Sequence, residues 1–217
     1  MGLETVQDRA YPNRLKTGVS ISFGTLKMGA IPSVNLPPII SCGNCSLCQH
    51  DCYALRPYRR HKNTRRAWNQ NWSIYQENIG QYFGDIKDFI LGRKKPPELF
   101  RWHVGGDIPS QNYMEGVGLA ADMFPGTRFL CFTKMYFIVE NHIDVYGDLP
   151  DNLSIVLSAW PGMRMHNPHD LPVAWMQDGS EVRVPDDCLL CTNTCEDCAA
   201  CWGLRQIGKD VCFDKHR

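Results

Sequence analysis

The sequence lacks long apolar runs, and no uninterrupted hydrophobic stretch reaches the ~18 residues that a membrane-spanning helix needs. Its opening stretch, MGLETVQDRAYPNRLK, is polar, so we expect no signal peptide. Acidic and basic residues balance at 23 each, which argues against a generic polyanion-binding surface but leaves local basic patches open. We therefore expect a cytoplasmic globular protein with no membrane partner.

Cysteine is scarce in the middle of the chain and crowded into two short runs. Of the 11 cysteines, only Cys131 lies between a first run at 42–52 and a second run at 188–212. Disulfides are rare in the cytoplasm, and an odd cysteine total fits a disulfide framework poorly. Closely spaced thiolates are instead the ligands that zinc and iron–sulfur clusters require. Cys131 is interpreted as a small buried hydrophobic residue.

The first run has the spacing C-x2-C-x2-C-x3-C, formed by Cys42, Cys45, Cys48 and Cys52. This is the spacing of the bacterial ferredoxin run, without the proline that usually follows it. Zinc sites more often pair two C-x2-C units across a longer gap. The first run therefore favours a [4Fe–4S] cluster.

The second run holds more cysteines than one four-ligand site can use: Cys188, Cys191, Cys195, Cys198, Cys201 and Cys212. It predicts either a second [4Fe–4S] cluster with spare cysteines or a set that lends ligands to the first cluster. A zinc ribbon that pairs Cys188/Cys191 with Cys198/Cys201 is the alternative. The sequence leaves these possibilities open.

Alternating strand and helix patterns predict an α/β fold with parallel strands. The predicted strands are Val19–Phe23, Leu99–Val104, Arg128–Thr133 and Leu153–Ser158. Apolar residues at gaps of three and four predict one long amphipathic helix from Trp68 to Ile90, ending near Gly92, and shorter helices at about 110–123 and 135–147.

The remaining segments complete the prediction and divide the chain into an α/β domain and a cysteine-rich segment. Pro32, Pro37 and Pro38 indicate a loop before the first cysteine run, and 161–187 is expected to hold at most short strands such as Glu181–Val184. We expect an α/β domain over 1–187, with the metal-binding loop at 42–52, and a cysteine-rich metal-binding segment over 188–217.

The predicted strand at Leu99–Val104 runs into Gly105-Gly106-Asp107, at the edge where α/β folds bind ligands. Paired glycines let a ligand approach the backbone, and Asp107 is a candidate binding or catalytic carboxylate. The alternative is a tight turn in which Asp107 caps the next helix. His103 is a candidate acid or base or a hydrogen-bonded core histidine, and Thr133, Lys134 and Ser158 end neighbouring strands at the same edge.

A cysteine loop after the first strand, a long helix, and a second strand ending in Gly-Gly-acid-x-Pro resemble the radical S-adenosylmethionine (SAM) superfamily. That resemblance implies a partial (β/α) barrel, a [4Fe–4S] cluster, and contact of Gly105, Gly106 and Asp107 with the SAM amino group. In that superfamily the loop is C-x3-C-x2-C, and its three cysteines leave one iron open for SAM. The first run here offers four cysteines, which could close the cluster.

Three motifs are similar more narrowly to the phage and mobile-element family called gene product 88. They are Cys42-x5-Cys48-x3-Cys52-Tyr-Ala, the stretch Phe100-Arg-Trp-His-Val-Gly-Gly-Asp, and Cys195-x2-Cys198-x2-Cys201-Trp. This resemblance implies more about fold and metal than about a reaction.

A basic block follows the first cysteine run, made of Arg56, Arg59, Arg60, Lys62, Arg65 and Arg66. Such a block can bind the phosphates of a nucleic acid, although a charge run is more often a solvated helix face.

Together these patterns predict an iron–sulfur protein with one or two [4Fe–4S] clusters, either a radical-SAM-like enzyme or a redox protein. Its reductant and its substrate are not indicated by the sequence. The alternative is an iron–sulfur or zinc protein of phage or mobile-element origin that binds a partner or a nucleic acid without catalysis.

Overall fold

A computed structural model of the chain describes residues 18–43, 48–160, 162–177, 185–192 and 194–214. Within these ranges the strands form one eight-stranded sheet. The strands are β1 (Ile21–Ser22), β2 (Ser33–Val34), β3 (Leu99–Trp102), β4 (Arg128–Thr133), β5 (Leu153–Ala159), β6 (Val173–Gln177), β7 (Leu189–Leu190) and β8 (Val211–Asp214).

The strand order is β1-β2-β3-β4-β5-β6-β8-β7. Only the pair β1 and β2 is antiparallel among the described strands, and every other neighbouring pair is parallel. The predicted α/β class is therefore confirmed. Across the described residues the sheet is open, with β1 and β7 at its two edges.

Seven α-helices connect or cover the described strands. They are α1 (Leu55–Arg60), α2 (Lys62–Glu77), α3 (Ile79–Leu91), α4 (Gln111–Met123), α5 (Tyr136–Tyr146), α6 (Cys195–Cys198) and α7 (Leu204–Ile207). The predicted strands at 99–104, 128–133 and 153–158 and the two shorter predicted helices match β3, β4, β5, α4 and α5 closely. In the part of the chain that the structure describes, no helix has both the length and the apolar character to cross a membrane.

Apolar side chains cover both faces of the sheet because successive strand residues point in opposite directions. In β4, Phe129 and Cys131 pack with the long helices in one core, whereas Leu130 belongs to a second core on the other face. Trp202 and Leu204 of the C-terminal segment cover that second face. Cys131 is fully buried, as predicted.

The strand before the first cysteine run was assigned wrongly from the sequence. The predicted strand at Val19–Phe23 is only the two-residue edge strand β1, and the cysteine loop follows β2 instead. Strand β2 escaped prediction because only two residues join the ladder and prolines lie on both sides of it. It is nevertheless fully buried, and it begins the parallel part of the sheet by pairing with β3.

The single long helix predicted from Trp68 to Ile90 is two helices, α2 and α3, which meet at Asn78. Asn78 adopts an extended backbone (φ −156°), and its side chain accepts a hydrogen bond from Gln81 N at 3.0 Å. The apolar spacing continues through the break because both helices pack apolar side chains into the same core. Periodicity alone therefore does not detect the interruption.

The C-terminal third contributes more to the sheet than the sequence indicated. The segment 161–187 contains β6, which fills the position between β5 and β8. The predicted strand at Glu181–Val184 lies outside the described residues. The division of the chain at residue 188 stays a prediction, and β7 and β8 of the cysteine-rich segment extend the main sheet.

Candidate functional site

A cavity of about 100 Å³ opens at the carboxyl ends of the parallel strands. The segments after β2 and β3, the ends of β4 and β5, and single residues of β6 and β8 line it. This is the edge at which open α/β folds bind their ligands. The site residues predicted from β3, β4 and β5 therefore lie where the parallel topology requires.

Three cysteines of the first run, Cys42, Cys48 and Cys52, line this cavity. All three are partly exposed. Cys45 lies outside the described residues. As positioned, no three His, Cys, Asp or Glu side chains among the described residues converge into a group that could hold a metal ion. The structure thus brings the thiols to one cavity without forming a finished metal site.

The residues Gly105, Gly106 and Asp107 line the same cavity. A Cβ atom on Gly105 would lie 2.4 Å from Cζ3 of Trp68. Gly106 has φ +89°, and a Cβ there would lie 2.7 Å from Cβ of Leu36. Close packing within the protein therefore requires both glycines, and the contact with a ligand expected from the sequence stays a prediction.

A buried amide braces this turn from β2. Asn35 Oδ1 accepts hydrogen bonds from Val104 N at 2.5 Å and Gly105 N at 3.2 Å. The Asn71 amide of α2 donates in turn to Asn35 O at 2.9 Å. Because these donors and acceptors are buried, losing one leaves its partner without a hydrogen bond. The network fixes the turn at the cavity wall.

The Asp107 carboxylate connects the ends of β3 and β4. Its Oδ1 accepts from Ile108 N at 2.8 Å and from Thr133 Oγ1 at 2.6 Å, and its Oδ2 accepts from Lys134 N at 3.0 Å. Burial raises the pKa of Asp107, opposed by the Lys134 charge and these hydrogen bonds. Asp107 does not cap the next helix, because Ser110 accepts the hydrogen bond from Tyr113 N at the start of α4.

His103 lines the cavity and is a hydrogen-bonded core residue, which was one of its two interpretations. Its Nε2 lies 2.8 Å from the Tyr113 hydroxyl, which lies 2.7 Å from the Tyr82 hydroxyl. Burial, followed by the Arg101 charge, lowers the pKa of His103 to about 3. The imidazole is therefore neutral at pH 7, and a pKa this low makes it a weak proton acceptor.

Four further cavity residues were not singled out from the sequence: Met135, Trp160, Met176 and Phe213. Trp160 directly follows β5, and the Lys134 ammonium lies 5.1 Å from its ring centroid. Met135 and Trp160 could have been recognised as cavity residues from the sequence, because each lies just after a predicted strand. Met176 and Phe213 could not be found in this way because β6 and β8 were not predicted.

All six cysteines of the second run are among the described residues. Burial raises the pKa of Cys201 to about 12, and the neighbouring thiols add to the rise while Arg101 opposes it. The Cys212 thiol lies 3.9 Å from Cys188 O, and Cys191 N donates to Cys212 O at 2.8 Å. None of the six lines the cavity.

The six residues of the basic block lie on α1 and the first turn and a half of α2, and all six are exposed. None of them forms a salt bridge with another described residue. Tyr53 and Ala54, just before α1, line the cavity. The block is therefore a solvated surface next to the site rather than part of it.

The fold and the site define an α/β protein with a cysteine-lined cavity at the carboxyl edge of its parallel strands. The sequence model of the family described as Gene product 88 matches residues 8–204, so the chain belongs to the gene product 88 family. The resemblance to that family is confirmed.

The chain is also similar to the Gene 88 protein of Mycobacterium phage L5, with 24% identity over 148 residues. The similarity covers 64% of this chain and 61% of that protein, which is less than two thirds of its length. No solved structure matches. The comparisons do not show the radical-SAM resemblance.

Proposed function

We propose that the chain is an iron–sulfur protein in which Cys42, Cys48 and Cys52 hold a [4Fe–4S] cluster beside the cavity. The supporting observation is that these thiols and the Gly105–Asp107 turn line one cavity, although they are 53 or more residues apart in the sequence. Four closely spaced cysteines in the loop supply the soft donors that iron–sulfur clusters use. A reducing, cytoplasmic location belongs to the proposal because these thiolates must stay unoxidised.

We further propose that the protein is a radical-SAM-like enzyme with a partial barrel. A cluster held by three cysteines would leave one iron open to SAM, and Asp107 lines the same cavity as these cysteines. A carboxylate has about four acceptor positions, and the structure uses three, so one position on Oδ2 is available to an ammonium group. Trp160, Met176 and Phe213 supply apolar walls for the rest of a ligand.

When bound, such a cluster supplies single electrons from an external reductant, with which SAM is cleaved to give a carbon radical. The protein's own contribution is to bind, orient and exclude water. Asp107 and the braced turn at Gly105 and Gly106 position the amino-acid end of the ligand. His103 is neutral and adjacent, and because its pKa is lowered to about 3 it serves as a hydrogen-bonding group of the cavity wall and not as a base.

The cluster is tested by anaerobic reconstitution with iron and sulfide, followed by metal analysis. We expect Cys42→Ser, Cys48→Ser and Cys52→Ser each to lose the iron and sulfide of this cluster. Cys131→Ala is the matched control, because Cys131 is buried away from the loop and should keep the iron. Iron contents that do not differ between Cys48→Ser and the wild type would exclude the assignment.

SAM binding is tested separately by electron paramagnetic resonance of the reduced cluster with and without SAM. We expect the spectrum to change on addition of SAM, and Cys45→Ser to keep both the cluster and the change. An unchanged spectrum and uncleaved SAM would leave an iron–sulfur protein of redox or structural function. Loss of the cluster in Cys45→Ser would show that all four cysteines are ligands.

A second candidate function is nucleic-acid binding by the basic block. The observation that favours it is that no Asp or Glu occurs from Tyr53 to Gln76, so the six exposed cations face solvent without acidic neighbours on their own helices. Binding of this kind is dominated by phosphate contacts and weakens steeply with salt.

The nucleic-acid hypothesis is tested with single- and double-stranded oligonucleotides at several salt concentrations. We expect a variant with Arg59, Arg60, Arg65 and Arg66 changed to Gln to bind less tightly, with a salt slope reduced by roughly 0.7–0.9 per lost phosphate contact. A variant with Lys87, Lys94, Arg128 and Arg164 changed to Gln removes the same four charges and is the control for net charge, since all four are exposed and lie outside the block. Equal losses of oligonucleotide affinity in the two variants would show that the basic block is not a specific binding surface.

A further inference from the structure

We propose that Lys134 and Trp160 form a subsite of the cavity that binds a planar substrate carrying an anionic group, either a carboxylate or a phosphate. The proposal rests on the proposed function in one respect, because it assigns a substrate class to the same cavity. It does not depend on the cluster, since the binding of a planar anion can be measured without iron and without SAM.

Two neighbouring parallel strands bring these side chains together. Strand β4 ends at Thr133 and β5 ends at Ala159, and Thr133 pairs with Leu157 across the sheet. Lys134 and Trp160 are the next residues along the chain, and both are half-buried in the cavity wall. The Lys134 ammonium lies 5.1 Å from the centroid of the Trp160 ring. The pair therefore lies at the edge where open α/β sheets bind their ligands.

Hydrogen bonds hold the backbone of both residues in place. Lys134 N donates to Asp107 Oδ2 at 3.0 Å, and the Thr133 hydroxyl before it donates to Asp107 Oδ1 at 2.6 Å. Met163 N donates to Trp160 O at 2.9 Å, which closes a turn after β5. A binding residue must be positioned by its surroundings, and these bonds fix the backbone that carries the two side chains.

The Lys134 ammonium is a half-buried cation that forms no salt bridge with a described acidic residue. Among the described residues that line the cavity, no other Lys or Arg occurs. Burial raises the pKa of Asp107 and the Lys134 charge opposes that rise, but the carboxylate already accepts three hydrogen bonds. The other acidic lining residue, Asp51, is exposed to solvent. An oxyanion of a ligand can therefore pair with Lys134 through charge-assisted hydrogen bonds, which are stronger than neutral ones.

Aromatic side chains line the same cavity as this cation: Tyr53, Phe132, Trp160 and Phe213. Ring faces favour stacking with a planar group, and the Lys134 ammonium already lies over the indole. Ser158 also lines the cavity, and its hydroxyl can donate to an oxyanion. An aliphatic carboxylate such as that of SAM would leave the indole face without a stacked ring, so the arrangement favours a planar substrate.

The test compares three small probes that differ in charge: benzoate, phenyl phosphate and benzamide. Benzamide has nearly the shape of benzoate but carries no charge. Binding is measured by nuclear magnetic resonance titration of the full-length protein. We expect at least one of the two anions to bind about tenfold more tightly than benzamide, because the neutral probe lacks the charge-assisted contact with Lys134. The tighter of the two anions identifies carboxylate or phosphate as the preferred group.

Matched variants assign the preference to the two residues. We expect Lys134→Met to bind the anions no more tightly than benzamide, and Lys134→Arg to keep the preference because it keeps the charge. Trp160→Leu should weaken the binding of all three probes by about threefold, since the stacking surface is lost. Lys94→Met is the control, because Lys94 is exposed and lies outside the cavity. Urea unfolding checks that each variant is folded.

Equal affinities of the wild type for benzamide and both anions would overturn the proposal. So would a preference that survives in Lys134→Met or disappears in Lys94→Met, because the anion would then bind elsewhere or respond to net charge alone. Mutually exclusive binding of SAM and the preferred anion would assign Lys134 to the SAM carboxylate and overturn the substrate assignment. A preference that is retained in Cys48→Ser supports the subsite even if the chain holds no cluster, so the failure of one proposal is distinguishable from the failure of the other.

Discussion

The Thr133 hydroxyl donates a 2.6 Å hydrogen bond to the Asp107 carboxylate, and this contact joins the carboxyl end of β4 to that of β3. Ile108 N and Lys134 N complete the arrangement. A residue that resembles a ligand-binding carboxylate is therefore also a structural link between two neighbouring strands. Any variant at Asp107 will change stability as well as binding, and the two effects must be measured separately.

Asp107→Asn should lower the free energy of unfolding by about 1–3 kcal/mol. The amide replaces one acceptor oxygen with a donor, and that donor must face an N–H or O–H group in a buried site. Urea unfolding measures the change. Thr133→Ser, which keeps the hydroxyl, is the control, and its free energy of unfolding should fall clearly less. An Asp107→Asn protein as stable as the wild type would contradict the structural function of the carboxylate.

Gly106→Ala should be among the most damaging single substitutions at the site. The added Cβ would meet Leu36 Cβ at 2.7 Å and Leu36 O at 3.0 Å, in a backbone conformation at φ +89°. Overpacking together with a left-handed alanine costs about 2–5 kcal/mol. Gly126→Ala is the matched control, because a Cβ there meets nothing within 4 Å. Thermal or urea unfolding should show little change for Gly126→Ala, and equal losses would reject this explanation.

Asn78→Ala should destabilise the protein by about 1 kcal/mol, because it removes the side chain that caps α3. Asn78→Asp keeps an acceptor oxygen for Gln81 N and should retain most of the stability. Comparing the two variants by urea unfolding measures the contribution of the capping hydrogen bond, since the Asn78 side chain is exposed. If Asn78→Ala were neutral, the boundary between α2 and α3 would have to be set by packing alone.

The Asn78 boundary illustrates how far the sequence predicts this fold. Strands β3, β4 and β5 were predictable because each is a compact apolar segment followed by a polar turn. β2 and β6 were not, because their membership in the sheet depends on pairing with β3, β5 and β8, which are remote in the sequence. Local pattern therefore predicts strands with a strong apolar signal, whereas short strands such as β2 and β6 are recognised only from their tertiary pairing.

The site shows the same limit. Gly105, Gly106 and Asp107 were found from the sequence because a strand leads directly into them, and the first cysteine run because of its spacing. The Asn35 brace was not predictable, since it depends on contacts between segments far apart in the chain.

The stability of the protein should fall as the pH is lowered through the range in which free histidine titrates. The His103 pKa is lowered to about 3 by burial, whereas an unfolded histidine has a pKa near 6.5. Between about pH 3 and about pH 6.5 the unfolded chain binds a proton that the folded chain does not. The unfolded fraction therefore rises as the pH falls. The contribution is fully present above about pH 6.5. About 1.4 kcal/mol of it is lost by about pH 5.5.

His103→Gln removes this titration, so its free energy of unfolding should change less between about pH 8 and about pH 5.5 than that of the wild type, by about 1.4 kcal/mol. Urea unfolding at the two pH values measures the difference. Tyr113→Phe is the matched control: it removes the hydroxyl that contacts Nε2 but leaves the buried imidazole, and should keep the wild-type pH dependence. Parallel pH profiles for the wild type and His103→Gln would mean that His103 titrates normally in the folded protein.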